Sequence, residues 1–294
     1  MAAPTNVLIA TDLSDWAGKA ALRGADIARK FPNGQAILAY VQEQSDFDFF
    51  IQFMAGQEDF DTDTLMQETE LFLKEKAKNL AEKTGGTVST EARVGRIADE
   101  IQDIIQQTQP VALILGKHGH GYHAMPVVGN TPVKLIQSCP CPALVVHNEP
   151  DQPYRRVLIP IDFSDASKDQ LAQAVALIPD AAEITAIHVC QEPAFIHGIA
   201  PEMLDKFKEH LLVTANEQMD QFLQEVGKGR TIKRHIAVGD PHQDIMKYAN
   251  EQNIDLLVLG KKRRNRLQEY IIGSMVHTGL NEAACDVLVT PSLG

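Results

Sequence analysis

The chain has 294 residues, of which 44% are hydrophobic and 22% charged, as in a globular protein of one large or two smaller domains. Its formal net charge of −12 repels phosphate groups, which argues against general nucleic-acid binding and against binding to anionic membranes. No apolar run is long enough to span a bilayer, and the start "MAAPTNVLIATD" lacks the pattern of a signal peptide. We therefore expect a cytoplasmic protein without nucleic-acid or membrane partners.

Strands and helices alternate along the first half of the chain. Short apolar runs rich in β-branched residues predict buried strands, and apolar residues at helical spacing predict helices. The predicted elements are a strand at 6–11, a helix at 14–31 capped by Ser14, a strand at 35–41, a long helix at 62–84 ending at Gly85 and Gly86, a strand at 86–94, a helix at 96–108, a strand at 111–116, a helix at 131–139 and a strand at 142–147. This alternation predicts a parallel sheet with helices on both faces.

The second half repeats the first. The segment "NVLIATDLSD" at 6–15 aligns with "RVLIPIDFSD" at 156–165, and "VALILGK" at 111–117 aligns with "IDLLVLGK" at 254–261. The offset changes from 150 to 144, so the first half carries six extra residues in its middle. The repeat predicts two similar domains, 1–148 and 154–294, joined by the polar segment "HNEPDQPYR".

Polar residues and glycines follow the first and fourth predicted strands of each half. Asp12 and Gly116 hold these positions in the first half, and Asp162 and Gly260 in the second. Ligands of open α/β sheets bind beyond the carboxyl ends of the strands. If the two strands are neighbours, the carboxylate and the glycine loop share one crevice. We expect Gly116 and Gly119 to adopt positive φ and to let the backbone approach a ligand closely.

The loop "GKHGHGYHAMPVVGNT" at 116–131 ends at the start of a predicted helix. The amides of Gly129, Asn130 and Thr131 would point out of the helix N-terminus, where free N–H groups and the helix dipole favour an anion. Asp12 suits a ribose hydroxyl or a metal-bridged phosphate. Neither G-x-x-x-x-G-K-[ST] nor G-x-G-x-x-G occurs at these strand ends, so Walker A and Rossmann dinucleotide fingerprints are absent.

The pattern G-x2-G-x9-G-[ST] after the fourth strand, with Asp after the first, resembles the universal stress protein family in its tandem two-domain form. In the first half Gly116, Gly119 and Gly129 match, and Asn130 stands where the family has Ser or Thr. The resemblance covers essentially the whole chain, twice.

The second half departs from this pattern at its middle glycine. It reads Gly260-x2-Arg263-x9-Gly273-Ser274, so the Gly-Ser end is intact and Arg263 replaces the middle glycine. A bulky side chain there is expected to obstruct the phosphate path.

The resemblance implies two tandem doubly wound, Rossmann-like domains of the adenine-nucleotide α-hydrolase type, each a five-stranded parallel sheet of order 3-2-1-4-5. It implies ATP or a related adenine nucleotide, with or without Mg²⁺, mainly in the first domain. Adenine and ribose would lie near Ala10, Thr11, Asp12 and Val41, whose counterparts include Pro160, Asp162 and Val189. It also implies pairing through the last strands, either between the two halves or in a homodimer.

Three histidines in the loop, His118, His120 and His123, form H-x-H-x2-H. Imidazole binds metals, but a loop without a nearby Cys or carboxylate seldom fixes tetrahedral geometry. We favour solvent-exposed loop residues near phosphate over a metal site. Asp12 and Asp162 could instead cap the following helices, a role that Ser14 and Ser164 already offer.

Two further segments have alternative interpretations. "KKRRNR" at 261–266 is either a solvated basic loop or a site for another anion or a partner. "SDFDFFIQFMAGQEDFDTDT" at 45–64 is acidic and rich in phenylalanine, and it is either a lid packed on its own domain or a dimer or partner surface. Cys139, Cys141, Cys190 and Cys285 form no C-x-x-C motif, and we expect buried free thiols.

No Ser-His-Asp or Cys-His set and no catalytic carboxylate pair stands at these strand ends. The favoured hypothesis is a non-enzymatic ATP-binding regulator or sensor in stress adaptation, with an unidentified protein partner. The alternatives are a slow Mg²⁺-dependent ATPase in the same crevice, and a scaffold or small-ligand binder with degenerate sites.

Overall fold

The computed structural model describes residues 5–54, 62–119, 128–191, 201–227, 229–263 and 270–293. The chain divides into two compact units, Met1–Asp151 and Gln152–Gly294. The division falls inside the segment at 147–155 that the sequence indicates as a linker. Tyr154 of that segment is nevertheless buried, because its hydroxyl donates to Oδ2 of Asp286 at 2.6 Å within the second unit.

The first unit alternates strands and helices as predicted, with one additional helix, α2, in the acidic aromatic segment. Its elements are β1 (Val7–Thr11), α1 (Asp15–Ala28), β2 (Gln35–Glu43), α2 (Gln44–Met54), α3 (Thr62–Thr84), β3 (Thr87–Gly95), α4 (Ile97–Thr108), β4 (Ala112–Gly116), α5 (Asn130–Ser138) and β5 (Ala143–Val146).

The sheet of the first unit has the strand order β3-β2-β1-β4-β5, and all of its pairs are parallel. Val7, Leu8 and Ile9 of β1 are fully buried, as expected for a strand covered by helices on both faces. A β-carbon on Gly24 of α1 would lie 2.6 Å from the Ile9 side chain, so glycine lets α1 pack closely on the sheet. Because β1 and β4 are neighbours, their carboxyl ends open at one edge.

The second unit repeats this plan. Its elements are β6 (Arg156–Pro160), α6 (Asp165–Leu177), β7 (Glu183–Gln191), α7 (Pro201–Val226), β8 (Ile232–Gly239), α8 (Pro241–Glu251), β9 (Leu256–Arg263), β10 (Tyr270–Ile271), α9 (Ser274–Glu282) and β11 (Asp286–Pro291). The parallel order is β8-β7-β6-β9-β11, and β10 pairs antiparallel with β9. The predicted order 3-2-1-4-5 is therefore confirmed in both units.

The start of the basic segment is not a solvated loop. Lys261, Lys262 and Arg263 belong to strand β9, and Lys261 is only 1% exposed, with its Nζ 4.2 Å from the centre of the Tyr270 ring. Strand β10, which pairs with β9, supplies that ring. The basic residues alone therefore do not predict that Lys261 is buried. Residues 264–266 lie outside the described part of the chain.

None of the four cysteines forms a disulfide. Cys139, Cys190 and Cys285 are buried as expected, whereas Cys141 is partly exposed. Burial, reinforced by the charge of Asp286, raises the pKa of the Cys285 thiol to about 12, so this thiol is un-ionised at neutral pH.

Candidate functional site

A tight turn after β1 fixes the Asp12 carboxylate. Leu13 has a φ of 66°, in the left-handed region, and Ser14 caps α1 by accepting a hydrogen bond from the Ala17 amide. Oδ1 of Asp12 accepts hydrogen bonds from the Ser14 amide at 3.1 Å and from the Ser14 hydroxyl at 2.6 Å. The cap prediction for Ser14 is confirmed, and the same serine orients Asp12 at the mouth of the crevice.

The two loop glycines are required by close contacts. A β-carbon on Gly116 would lie 2.9 Å from the carbonyl carbon of Trp16, and one on Gly119 would lie 2.6 Å from Oδ2 of Asp12. The described glycines with positive φ are Gly85 and Gly229, so the expectation of positive φ at Gly116 and Gly119 is wrong. These close contacts are with Trp16 and Asp12 of the chain itself, so the close approach of a ligand stays a prediction.

Helix α5 presents its N-terminus to the same place. Gly129 is its N-cap, it makes no side-chain capping hydrogen bond, and the first turn carries no acidic residue. Asn130 and Thr131 begin the helix. Backbone amides at such an end lack intrahelical acceptors, and together with the helix dipole they favour an anion.

These elements enclose one cavity of about 520 Å³ at the carboxyl ends of β1 and β4. Its lining includes every residue predicted for the first half: Ala10, Thr11, Asp12, Val41, Gly116, Gly119, Gly129, Asn130 and Thr131. Ala39, Ile97, Ile101, Leu115 and Leu135 contribute apolar surface. The cavity therefore combines an apolar wall, the carboxylates of Asp12 and Asp46, and one helix N-terminus. We call it the unit 1 crevice.

His118 also lines the unit 1 crevice, but it is not the exposed loop residue that the sequence led us to expect. It is 9% exposed, and its ring meets the Trp16 ring edge-on at a centroid distance of 5.4 Å. Burial, and then the positive charge of Lys117, lower the pKa of His118 below its usual 6.5. Its Nδ1 is buried and has no hydrogen-bond partner among the described residues.

The corresponding cavity of the second unit is smaller, at about 250 Å³, and is called the unit 2 crevice. Pro160, Asp162, Val189 and Gly260 line it as predicted. Gly273 and Ser274 are not part of its lining, and the Ser274 hydroxyl lies 3.1 Å from Nε2 of His242. The prediction that this Gly-Ser pair contacts a ligand stays a prediction.

Asp162 is held by three hydrogen bonds from serines. Its Oδ1 accepts hydrogen bonds from the Ser164 amide, from the Ser164 hydroxyl and, at 2.5 Å, from the Ser167 hydroxyl. Burial alone would raise the pKa of Asp162, but these hydrogen bonds outweigh it and, helped by the charge of Lys262, lower the pKa below its usual 3.8. Ser167 stands where the first unit has Ala17, so the third hydrogen bond is specific to the second unit.

Gln170 occupies part of the unit 2 crevice. Its amide nitrogen donates to the Val258 carbonyl at 2.8 Å, and a β-carbon on Gly260 would lie 2.8 Å from its amide oxygen. The first unit has Ala20 at this position. The aligned repeat contains this difference, but only the fold shows that the longer side chain reaches the base of the crevice.

The model of the universal stress protein family matches the chain twice, over residues 4–147 and 153–291. The chain belongs to the universal stress protein family.

Relatives match one unit or both. Universal stress protein MJ0577 of Methanocaldococcus jannaschii is 26% identical over 152 residues, covering 46% of this chain and 94% of that protein. Universal stress protein Sll1388 of Synechocystis is 28% identical over 149 residues, covering 46% of this chain and 97% of that protein. The crystal structure of a universal stress protein from Archaeoglobus fulgidus covers 98% of each chain with a TM-score of 0.68 and 20% identity, and it shows the same fold.

The structure places no metal site in this universal stress protein within its described ranges. No group of three or more His, Cys, Asp or Glu side chains is close enough there to hold an ion. His120 and His123 lie outside those ranges, so the expectation that the H-x-H-x2-H loop is not a metal site stays a prediction. Among the described helices, none combines the length and apolar character that crossing a membrane requires.

Proposed function

We propose that the first unit of this universal stress protein binds ATP, or a related adenine nucleotide, and that the chain acts as a regulator or sensor in stress adaptation. The observation that supports this most is the convergence of all nine predicted residues on one cavity of about 520 Å³. That volume lies within the roughly 300–1,000 Å³ typical of small-molecule sites.

The chemistry of the unit 1 crevice matches the parts of a nucleotide. The apolar wall near Ala10 and Val41 suits the adenine ring, and the Asp12 carboxylate can accept a hydrogen bond from a ribose hydroxyl. The uncapped N-terminus of α5 suits phosphate oxygens. If Mg²⁺ accompanies the nucleotide, Asp12 is the carboxylate placed to contact it or one of its waters, because Mg²⁺ prefers oxygen ligands.

The second unit has less room for the same ligand. Its crevice is about half as large, Gln170 lies against Gly260, and three hydrogen bonds from serines already engage Asp162. Arg263 replaces the middle glycine of the loop. These differences support nucleotide binding mainly in the first unit.

We further propose that binding, rather than turnover, is the function. Burial keeps His118 neutral at physiological pH, and Asp12 is oriented by the serine that caps α1. These two groups fit ligand contacts. The predicted cytoplasmic location, the protein partner and the pairing through the last strands, within the chain or in a homodimer, stay predictions.

Calorimetric titration of the full chain with ATP and Mg²⁺ tests the proposal. We expect one site per chain, abolished by Gly119→Arg, which copies the second unit. Gly18→Arg is the matched control, because a β-carbon there meets nothing within 4 Å and the residue is exposed on α1. A lack of binding at about millimolar ATP contradicts the nucleotide proposal. A Kd of about 1 mM corresponds to a binding free energy on the order of −4 kcal/mol.

Two other outcomes contradict parts of it. A stoichiometry of two shows that the second unit binds as well. Steady release of inorganic phosphate that disappears in Gly119→Arg shows that the chain is an ATPase.

A further inference from the structure

A second cavity lies in the first unit on the opposite side of β2 from the unit 1 crevice. Tyr40 and Gln42 line this second cavity, whereas Ala39 and Val41, which alternate with them, line the crevice. Side chains alternate between the two faces of a strand, so β2 forms a wall between the two cavities. The volume of the second cavity is about 360 Å³, within the roughly 300–1,000 Å³ of small-molecule sites.

Its walls are mainly apolar and aromatic, so we call it the aromatic cavity. Helix α2 contributes three phenylalanines, α3 adds two aliphatic side chains and β3 adds an alanine: Phe47, Phe49, Phe50, Leu65, Met66 and Ala92. Phe49 remains 71% exposed and Phe50 41% exposed. Both rings therefore keep exposed surface at the edge of the cavity.

Three polar side chains at the aromatic cavity, Tyr40, Gln42 and Arg93, already have partners. The Tyr40 hydroxyl donates to Oε1 of Gln42 at 2.6 Å. The Arg93 guanidinium donates to Asp103 at 2.5 Å and to Gln107 at 2.9 Å. An occupant is therefore not needed to satisfy these groups, and its main contribution is apolar area.

The electrostatic environment favours a positive charge on the occupant. Arg93 is surrounded by Glu91, Glu100 and Asp103, which offset its charge. Asp46 lines the aromatic cavity as well as the unit 1 crevice. After burial, the charges of Asp12 and Asp46 raise the pKa of Tyr40, which is the effect of a negative potential at the cavity.

We propose that the aromatic cavity binds a small aromatic amine, with its ring among the phenylalanines of α2 and its ammonium group towards Asp46. Aromatic rings attract cations at their faces, and the nearby carboxylate adds to this attraction. A carboxylate of the same size is disfavoured by Asp46. The volume of about 360 Å³ argues for a small molecule, because it lies within the range of small-molecule sites.

Titration of the full chain with three probes of similar size tests this proposal. The probes are 2-phenylethylamine, 2-phenylethanol and 3-phenylpropionate, which are cationic, neutral and anionic at neutral pH. We expect the amine to bind about tenfold more tightly than the carboxylate. Ligand-induced shifts of the Met66 methyl resonance locate the binding, and the Met275 methyl, in the unit 2 crevice, serves as the internal control.

Two variants on α2 separate the charge effect from general effects. Asp46→Asn is expected to weaken the amine about fivefold while leaving 2-phenylethanol unchanged. Asp48→Asn makes the same change in net charge on the same helix, but Asp48 does not line the aromatic cavity, so it is expected to change neither affinity. Ala92→Phe is expected to fill the cavity and abolish binding of both probes.

The remaining outcomes distinguish this site from the crevice and from self-association. Gly119→Arg, which closes the unit 1 crevice, is expected to leave amine binding intact, and loss of binding there overturns the proposal. Equal affinities for the amine and the carboxylate also overturn it. A third contradicting outcome is dimerisation that depends on protein concentration in sedimentation experiments and is abolished by Phe53→Ala. Phe53 is 77% exposed and lies outside the cavity lining, so this result would assign the aromatic segment to self-association.

Discussion

A β-carbon placed on Gly119 would lie 2.6 Å from Oδ2 of Asp12. The other oxygen of that carboxylate accepts two hydrogen bonds from Ser14. The carboxylate is thus held on one side by the cap of α1 and approached on the other by the loop after β4. Position 119 favours glycine because the Asp12 side chain lies close to it, and not because its backbone adopts a positive φ.

This relationship predicts that Gly119→Ala weakens ATP binding by displacing Asp12. We expect a loss of about tenfold, the size of one disturbed charge-assisted hydrogen bond. In an Asp12→Ala background the same change is expected to cost nothing further, because the atom that it displaces is gone. Calorimetry on the four proteins of this double-mutant cycle measures the coupling. Additive losses would contradict the proposed contact.

The buried His118 predicts a response of its pKa to nucleotide. In the free protein its pKa lies below 6.5, and bound phosphates are expected to raise it because they stabilise the imidazolium. ATP binding then takes up protons near this pKa, so affinity rises as the pH falls through it. NMR titration of the imidazole resonances with and without ATP measures the change.

His235 in β8 is the control for this titration. Burial lowers its pKa too, but it lies in the second unit, with its ring 4.4 Å from the Tyr248 ring, and we expect ATP to leave it unchanged. If His118 keeps its pKa while ATP binds, the phosphates lie elsewhere.

The serine cluster around Asp162 predicts a measurable contribution to acid stability. Its pKa is lowered in the folded chain, so its stabilisation is fully present above 3.8 and is lost as the pH falls through the folded value. Ser167→Ala is expected to raise the pKa of Asp162 and to cost less than about 1 kcal/mol, since the carboxylate is exposed and solvent screens it. The ¹³C carboxyl shift of Asp162 against pH tests this. An unchanged midpoint in Ser167→Ala would show that Ser164 alone sets the pKa.

The comparison of the two crevices predicts what restores nucleotide binding to the second unit. Arg263→Gly alone is expected to leave the stoichiometry at one, because Gln170 still lies against Gly260. Adding Gln170→Ala and Ser167→Ala copies Ala20 and Ala17 of the first unit, and we expect a second ATP per chain by calorimetry.

Loss of Gln170 leaves the Val258 carbonyl without that partner, at a cost of about 1–3 kcal/mol, so circular dichroism must show that the triple variant is folded. A second site in the single variant would mean that Arg263 alone closes the second unit.

Most of the fold follows from local patterns in the sequence. The β-branched runs, the helical spacing and the Ser14 cap each depend on residues within a few positions, and the repeat orders the strands a second time. The residues of the first half that the family resemblance indicates all line the first crevice, and their contact with a ligand stays a prediction. The physical reason expected for glycine at position 119, a positive φ, was nevertheless wrong. The close contact there is with the side chain of Asp12, which is distant in the sequence.

Features that depend on distant partners could not be predicted. The burial of Lys261 depends on Tyr270 in a hairpin strand, and the burial of His118 depends on Trp16 in the first helix. The cavity behind β2 needs α2, α3 and β3 together. In each case the residue types are also compatible with an exposed loop, and their burial results from tertiary packing.

Leu13 and Phe163 occupy the same left-handed turn in the two units, with φ values of 66° and 60°. The turn is the same beside the larger and the smaller crevice, so its conformation belongs to the folding of the strand and helix. Each chain therefore contains an internal reference. An effect of solvent, temperature or mutation that is seen at both turns reflects the scaffold, whereas an effect seen only at Leu13 reports on the ligand. The two turns are present in equal numbers in every sample because they belong to one chain.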